Sequence, residues 1–190
     1  FFAGRETPMI IHYTVNAGKI PLQHWVHDPV EGGGRMIGEA CHFFDLFNFF
    51  TGSMPTELFT ESIASDKRSL GTDENSITTV RFADGSVASL MYTALGNSSY
   101  PKERIEIFAD GRVAVIDDFI GLLLRGNKSE EIRLKRQDKG HYNELVEFLG
   151  ALRGEKHLSV SLEESVAATV CTLKALESLR TGTPQTITLL

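Results

Sequence analysis

Residues Ser76–Leu95 have the sequence SITTVRFADGSVASLMYTAL, in which two runs rich in β-branched and aromatic residues flank an Asp-Gly dipeptide. Asp-Gly is a strong hairpin signal, because glycine adopts a positive φ without steric cost and both flanking runs have strand composition. The stretch therefore predicts two antiparallel strands, Ser76–Phe82 and Ser86–Leu95, joined by a tight turn at Asp84-Gly85.

The same pattern continues on both sides of this hairpin, with a second hairpin dipeptide at Asp110-Gly111. Further strands are predicted at Met9–Val15, Leu58–Ala64, Arg104–Ala109, Arg112–Ile116, Leu122–Arg125 and Glu131–Lys135. Consecutive strands joined by tight turns favour an antiparallel meander over the strand–helix alternation of a parallel sheet.

Helical periodicity occurs in three segments, at about Arg35–Phe50, His141–Arg153 and Leu162–Thr181. The first segment is apolar nearly all round, which predicts a helix buried on every side. The last begins after Ser161, which has capping-box spacing to Glu164. Together with the strands, these helices predict an α+β two-layer sandwich: a mostly antiparallel open sheet with helices on one face.

The chain has 190 residues and 42% hydrophobic content, which is enough for one domain with a sizeable core. Residues 1–8 resemble the last turn of a helix closed by Gly4 and Pro8. We interpret them as the remnant of a preceding helix or linker, expect the chain to be cut from a longer protein, and assign residues 9–190 to a single domain.

The formal charge of −6 and the scatter of the basic residues argue against a nucleic-acid partner. No apolar run approaches the roughly 20 residues that span a bilayer, and no signal-like segment occurs, so we expect a cytoplasmic location and no membrane partner. Cys41 and Cys171 both lie in apolar helical stretches and are predicted to be reduced core thiols.

Three titratable residues, Glu39, His42 and Asp45, follow one another at i,i+3 spacing on the first helix and are predicted to share a face. Charged groups on a buried helix cost several kcal/mol unless they are paired. The three residues are therefore either a satisfied structural network or a functional site that faces a cavity. Spacing alone leaves both interpretations open.

Two other site types are excluded by the pattern. Glu39 and His42 have the spacing of one half of a carboxylate-bridged di-iron site, but no other helix supplies the second half, so no metal is expected. The glycines of Gly32–Gly34 follow a loop rather than a strand and lack G-x-G-x-x-G spacing, so we predict no cofactor-binding residues in this chain.

The triglycine Gly32–Gly34, His42 followed three residues later by Asp45, and the apolar helix that ends at Gly52 resemble the C-terminal domain of the Gfo/Idh/MocA oxidoreductases. The resemblance extends through Asn16-Ala17-Gly18, Phe82–Ser86, Ile107–Gly111, Ser161–Ser165 and Arg180–Gly182. It therefore spans nearly the whole chain in the order of that family.

This resemblance implies the substrate-binding and oligomerisation domain of an NAD(P)-dependent sugar or polyol dehydrogenase. In that family a Rossmann domain binds NAD or NADP and supplies a lysine in a Glu-Lys-Pro motif, and neither feature occurs here. We therefore expect the complete enzyme to hold the cofactor mainly through a missing N-terminal nucleotide-binding domain, and this chain alone to be inactive.

The family's catalytic histidine corresponds to His42, which the resemblance implies is a general base or orients the reacting hydroxyl. Many members carry an aspartate four residues earlier, where this chain has Gly38. Glu39 is adjacent but points about 100° away on a helix, so it does not simply replace that aspartate. A rival interpretation follows, in which the domain is a non-catalytic scaffold or assembly domain that has lost its chemistry at Gly38.

The resemblance also implies that the loop before the triglycine faces the sugar, with Lys19, Trp25, His27 and Asp28 as substrate-binding candidates beside Glu39 and Asp45. In this interpretation Trp25 stacks on a sugar ring and Asp28 accepts hydroxyl hydrogen bonds. In the alternative, Trp25 pins the loop to the core and the polar residues are merely solvated.

Both faces of the strand Ser86–Leu95 are apolar, with Val87 and Met91 on one side and Leu90 and Tyr92 on the other. Helices can cover only one face of the sheet, which predicts an exposed apolar patch on the other. Members of the family commonly associate through this open face, so a homodimer or tetramer is expected.

Overall fold

A single sheet organises the chain, and the computed structural model describes residues 1–64 and 73–189 of it. Within those residues the sheet has nine strands: β1 Ile10–Asn16, β2 Pro55–Ser62, β3 Asn75–Phe82, β4 Val87–Thr93, β5 Glu103–Ala109, β6 Arg112–Asp117, β7 Gly121–Arg125, β8 Glu130–Arg133 and β9 Gln185–Thr186. Three α-helices accompany them: α1 Arg35–Thr51, α2 His141–Leu152 and α3 Leu162–Thr181.

The strand order is β8-β7-β6-β5-β1-β4-β3-β2-β9, and every pair is antiparallel except β1 with β4. The predicted α+β class, with a mostly antiparallel open sheet, is confirmed. The predicted simple meander is wrong in one respect, because β1 lies between β4 and β5 instead of at the start of the series. Tyr13 of β1 faces Leu90 on one side and Ile105 on the other.

Both predicted hairpin turns are present. Asp110 and Gly111 have φ values of 50° and 68°, the pair of positive values that a two-residue type I′ hairpin needs. At the other turn Gly85 has a φ of 87°, and the Asp84 carboxylate accepts a 3.0 Å hydrogen bond from the Ser86 amide. Local turn chemistry therefore sets the β3–β4 and β5–β6 connections.

The core lies between one face of the sheet and helices α1 and α3. Helix α1 contributes its aromatic side chains, and Tyr13 meets the Phe43 ring edge-on at a centroid distance of 5.1 Å. Helix α3 contributes small residues, among them Ala168, Cys171 and Ala175, which let it approach α1 and β2 closely.

Helix α1 is not buried on every side, which corrects the prediction from its composition. Phe49 is 71% exposed and Ile37 is 36% exposed, whereas the polar residues Arg35 and Asn48 are buried. The reason is that the sheet and α3 cover only part of the helix circumference. The remaining face, which includes Gly38 and His42, is open.

Helix α2 packs loosely on the rest of the domain, and of its residues only Gly150 is buried. Its large apolar side chains are exposed: Tyr142, Leu145, Val146, Phe148, Leu149 and Leu152. None of the helices in residues 1–64 and 73–189 is long and apolar enough to cross a membrane.

The two ends of the described chain are tied to the sheet. Residues 1–8 contain a turn at Ala3-Gly4 and no helix, and Arg5 pairs with Asp84 while donating a 2.7 Å hydrogen bond to the Thr51 carbonyl. The assignment of these residues to a preceding helix or linker stays a prediction. At the other end β9, which the sequence analysis missed, adds two residues beside β2.

The predicted capping box at the start of α3 is confirmed. The Ser161 hydroxyl accepts a hydrogen bond from the Glu164 amide at 3.1 Å, and the Glu164 carboxylate accepts one from the Ser161 amide at 2.7 Å. These bonds satisfy two amides that would otherwise lack partners at the helix start.

Candidate functional site

The loop 17–34 carries most of the predicted substrate-binding residues, and the triglycine joins it tightly to α1. Gly33 and Gly34 have φ values of 69° and 95°, and a Cβ on Gly32 would lie 2.5 Å from the Trp25 carbonyl oxygen. The amides of Gly32 and Gly33 donate to the Asp28 carbonyl at 2.9 and 2.8 Å. The glycines are thus required for a compact turn before the helix begins.

Arg35, the first residue of α1, is buried beneath this loop with only 2% exposure. Its Nε donates to Glu39 Oε1 at 2.9 Å, and its Nη1 donates to the Gly18 carbonyl at 3.1 Å. Nη1 also lies 4.0 Å from Glu74 Oε1, and the guanidinium carbon lies 5.5 Å from the centroid of the Tyr92 ring. A buried guanidinium is stable only with such partners.

Glu74, just before β3, is the buried carboxylate of this group, with 3% exposure. Its Oε1 lies 3.5 Å from His27 Nε2. Burial raises the pKa of Glu74, while the neighbouring His27 and Arg35 act in the opposite direction. The sequence analysis missed Glu74, because a glutamate beside Asp73 ahead of a strand has the pattern of a surface residue.

His42 and Asp45 lie together on the open face of α1 and line a cleft between α1, α2 and α3. The cleft has a volume of about 790 Å³, and His42 is exposed to it. Its polar lining includes Lys139, Glu144, Glu147, Ser159, Ser165 and Thr169, and its apolar lining includes Leu145, Phe148, Leu158 and Val160.

Asp45 interacts electrostatically with both His42 and Glu164. Partial burial raises the pKa of the Asp45 carboxyl, and the nearby Glu164 carboxylate raises it further, whereas His42 lowers it. An imidazole and a carboxyl group with mutual influence, facing a cleft that also holds hydroxyls and a lysine, can exchange protons with a polar ligand.

Glu39 does not share this cleft, which corrects the prediction that the three residues form one face. Its carboxylate turns to Arg35, and its Oε2 lies 3.9 Å from Lys102. At 100° per residue, Glu39 and Asp45 are about 120° apart around the helix axis. Two successive i,i+3 steps therefore place them on different sides of the helix, although each is close to His42 in angle. The two interpretations that the spacing left open therefore apply to different residues. Glu39 belongs to a structural network, whereas His42 faces a cleft.

The loop residues are placed differently from one another. Trp25 is 60% exposed, so the alternative in which it pins the loop to the core is wrong. Lys19 and Asp28 are also exposed, but Asp28 Oδ1 already accepts bonds from the amides of Val30 and Glu31 at 2.8 and 2.9 Å. Those backbone bonds, that of Glu31 first, lower the pKa of Asp28.

Gly38, the position at which the resemblance leads us to expect an aspartate, lies one helical turn before His42 on the open face. A Cβ built there would meet only the Val26 Cγ2 atom, at 3.8 Å. An aspartate would therefore fit, and its absence is a difference in chemistry and not a consequence of crowding.

The described residues do not fit a nicotinamide dinucleotide. The N-terminus of α1 follows the triglycine, yet a Cβ on Gly34 would collide with the Asp73 carboxylate, so an acidic group lies where a pyrophosphate would need a positive environment. In residues 1–64 and 73–189, moreover, no two neighbouring strands of the sheet are joined directly through a helix, as they are in dinucleotide folds. The same residues contain no cluster of three His, Cys, Asp or Glu side chains that could hold a metal.

Comparison with protein families identifies the class to which this arrangement belongs. Residues 7–114, more than half of the chain, match the model of the GFO/IDH/MocA C-terminal domain. The chain belongs to this family. The resemblance seen in the triglycine and in the His42 and Asp45 pattern is thereby confirmed, while the roles of individual residues stay predictions. No curated protein gives a significant match.

Solved structures show that the fold of this GFO/IDH/MocA domain recurs in larger proteins. UDP-N-acetylglucosamine 3-dehydrogenase GnnA from Acidithiobacillus ferrooxidans shares 19% identity over 93% of the chain, with a TM-score of 0.73. WlbA dehydrogenase from Bordetella pertussis, in complex with NADH and UDP-GlcNAcA, shares 16% over 98% of the chain, with a TM-score of 0.70. Levoglucosan dehydrogenase in complex with NADH shares 15% over 98% of the chain, with a TM-score of 0.77.

At such identities the likeness shows the fold alone. The chain spans 55%, 56% and 60% of the lengths of these three proteins.

The two cysteines are predicted to differ sharply in reactivity. Burial raises the pKa of the Cys171 thiol to about 12, whereas Cys41 is half-buried and lines the cleft beside His42. Because the thiolate is the reactive form, we expect an aromatic disulfide reagent at pH 8 to modify one thiol per native chain. The Cys41→Ser variant should lose this reaction and Cys171→Ser should keep it. Modification of both thiols at equal rates would contradict the packing of α3.

Proposed function

We propose that this chain is the substrate-binding and oligomerisation domain of an NAD(P)-dependent sugar or polyol oxidoreductase, whose nucleotide is held by another segment of the complete protein. The observation that carries the proposal is the exposed His42 beside Asp45 in a cleft lined by hydroxyl, amine and carboxyl groups. Such groups bind the hydroxyls of a sugar. Membership of the GFO/IDH/MocA family and the NADH in the WlbA and levoglucosan dehydrogenase structures support it.

In this proposal His42 handles the proton of the reacting alcohol. Oxidation of an alcohol to a carbonyl removes a proton from oxygen and a hydride from carbon. The oxidised nicotinamide, when bound, would accept the hydride, and a ring nitrogen of His42 accepts the proton. The Asp45 carboxylate stabilises the imidazolium that results. Since the described residues do not fit a dinucleotide, their part is to bind the sugar, orient its hydroxyl and take the proton.

The loop 17–34 supplies further sugar contacts. The exposed Trp25 ring is free to stack on a pyranose face, and Lys19 and the second carboxylate oxygen of Asp28 can bond hydroxyls. His27 and Glu39 are turned towards buried partners, Glu74 and Arg35, so we assign them an indirect part in binding.

One observation favours a second candidate, a non-catalytic assembly domain. Gly38 leaves His42 without the aspartate that related sequences place one turn away, and Glu39 is already paired with Arg35. The open face of the sheet would then be the working surface of the domain. Turnover by the His42 variant separates the two candidates.

In the complete protein, His42→Ala is expected to lower kcat by about 100-fold or more, the usual contribution of a positioned general base. The melting temperature should change little, because the His42 side chain is exposed. His141→Ala, which removes an exposed histidine at the start of α2, is the matched control. Unchanged turnover in the His42 variant would favour the assembly domain.

The 190-residue chain alone is expected not to bind NADH. The N-terminus of α1, the helix that follows the triglycine, faces the Asp73 carboxylate, which would repel a pyrophosphate. Isothermal titration of NADH into the purified chain should give only heats of dilution, whereas the complete protein should bind. Micromolar affinity of the chain alone would mean that its own residues form a nucleotide site.

The open face of the sheet supports the oligomer part of the proposal. Ile10, 64% exposed, lies beside Val87 of β4 and Phe108 of β5 in the strand register. Ile77 is also exposed on this face. Adjacent apolar side chains at the centre of a broad sheet are typical of a surface that a second copy covers.

We expect light scattering to find the protein as a discrete dimer or tetramer at micromolar concentration. Phe108→Asp should dissociate it, because a charge would be buried among the side chains of the open face. Ile132→Asp changes an exposed isoleucine of β8 on the opposite face and should leave the assembly intact. A monomeric protein, or equal effects of both variants, would refute association through this face.

A further inference from the structure

We infer that Glu74 is a positioning residue: together with the buried Arg35 it holds the loop 17–34 on the start of α1, and so fixes the loop's exposed groups relative to His42. The role of the loop in sugar binding rests on the proposed function. The attachment itself does not, because it follows from contacts among this chain's own residues.

The loop is attached to the Arg35–Glu74 pair at two points, one near its start and one in its middle. At the first end the Gly18 carbonyl accepts a 3.1 Å hydrogen bond from Arg35 Nη1. Further along, His27 Nε2 lies 3.5 Å from Glu74 Oε1, and the two members of the pair are themselves 4.0 Å apart. One ionic pair therefore reaches two points of the loop that are nine residues apart in sequence.

The pair is in turn anchored to the sheet through Glu74. The Glu74 carbonyl accepts a 2.9 Å hydrogen bond from the Ala94 amide, just beyond β4, and the residue immediately precedes β3. Arg35 begins α1. Glu74 thus connects three parts of the fold: the loop, the helix that carries His42, and the sheet.

Arg35 and His27 depend on Glu74 to different degrees. Arg35 keeps a second carboxylate partner, because Glu39 Oε1 accepts a 2.9 Å hydrogen bond from its Nε and lies 2.8 Å from its Nη2. Loss of the Glu74 charge would therefore leave the guanidinium paired and the fold intact. His27 would lose the acidic group that faces it, so the effect should be concentrated in the loop.

The charge state of Glu74 gives a test that ordinary packing would not pass. The charged groups that face it are His27 and Lys19 from the loop, Arg35 from α1 and the adjacent Asp73. Burial raises the pKa of Glu74, so it takes up a proton at a higher pH than an exposed glutamate.

The sign of the stability effect follows from that direction. A carboxyl whose pKa is higher in the folded than in the unfolded state adds most stability below its unfolded pKa, and this contribution is lost as the pH rises through the folded pKa. Protonation of Glu74 therefore does not weaken the folded domain. Glutamine has nearly the shape of glutamate but no charge, so a residue that only filled space would tolerate Glu74→Gln without loosening the loop.

The experiment is hydrogen–deuterium exchange on the complete protein, comparing wild type, Glu74→Gln and the control Glu155→Gln, which alters an exposed glutamate beyond α2. We expect the amides of residues 17–34 to exchange about tenfold faster in Glu74→Gln, as for a segment that loses a charged contact, with β5 and β6 unchanged. Equal protection of the loop in wild type and Glu74→Gln would overturn the inference.

A second variant tests the attachment from the loop side even if Glu74→Gln fails to fold. In His27→Ala, which removes the group facing Glu74, loop protection should fall while β5 and β6 stay protected; a loop as protected as in the wild type would overturn the inference. If the enzyme turns over sugars, Glu74→Gln should raise KM more than it lowers kcat, since His42 is untouched. A protein that binds no sugar but shows the exchange response would refute the proposed function and leave the positioning role standing.

Discussion

Strand β1 forms hydrogen bonds with β4 on one side and with β5 on the other, and among the described residues no other strand joins these two parts of the sheet. The antiparallel ladders β4-β3-β2 and β5-β6-β7-β8 would otherwise be separate units. Because the side chains of Ile11, Tyr13 and Val15 are all buried beneath α1, the same strand also provides the floor of the core. The position of every other element follows from this central strand.

The position of β1 also decides where the candidate site lies. The loop 17–34 leaves the end of β1 at the edge of the sheet where β4 ends and β5 begins, close to Glu74 and Lys102. Below this edge the Tyr13 hydroxyl donates to Glu103, which also pairs with Lys139. Polar residues from distant parts of the sequence thus meet at one edge, while the opposite end of the sheet carries the tight Asp84 and Asp110 turns.

The features that could be predicted from the sequence are those set by short-range chemistry. The Asp-Gly turns and the Ser161 capping box need only neighbouring residues, so local patterns sufficed. The parallel pairing of β1 with β4 joins segments more than 70 residues apart in sequence, and such a contact leaves no local pattern. For the same reason the grouping of Glu39 with His42 and Asp45 on one helix face was wrong. Glu39 pairs with Arg35, whose other acidic neighbour is Glu74, just before β3. Composition also gave no sign of the open face of α1, because the sequence alone does not distinguish the exposed Phe49 from a core phenylalanine.

The outermost strands affect how this domain can assemble. Strand β8, with the sequence EEIR, is exposed at every residue and rich in charge, and β9 at the other edge is only two residues long. Charged or very short edge strands resist the addition of further strands from other chains. Growth of the sheet into a fibre is therefore suppressed at both ends, while its broad apolar face remains available. The dimer contact proposed for that face would use the same surface on both partners, so it would close on itself instead of polymerising.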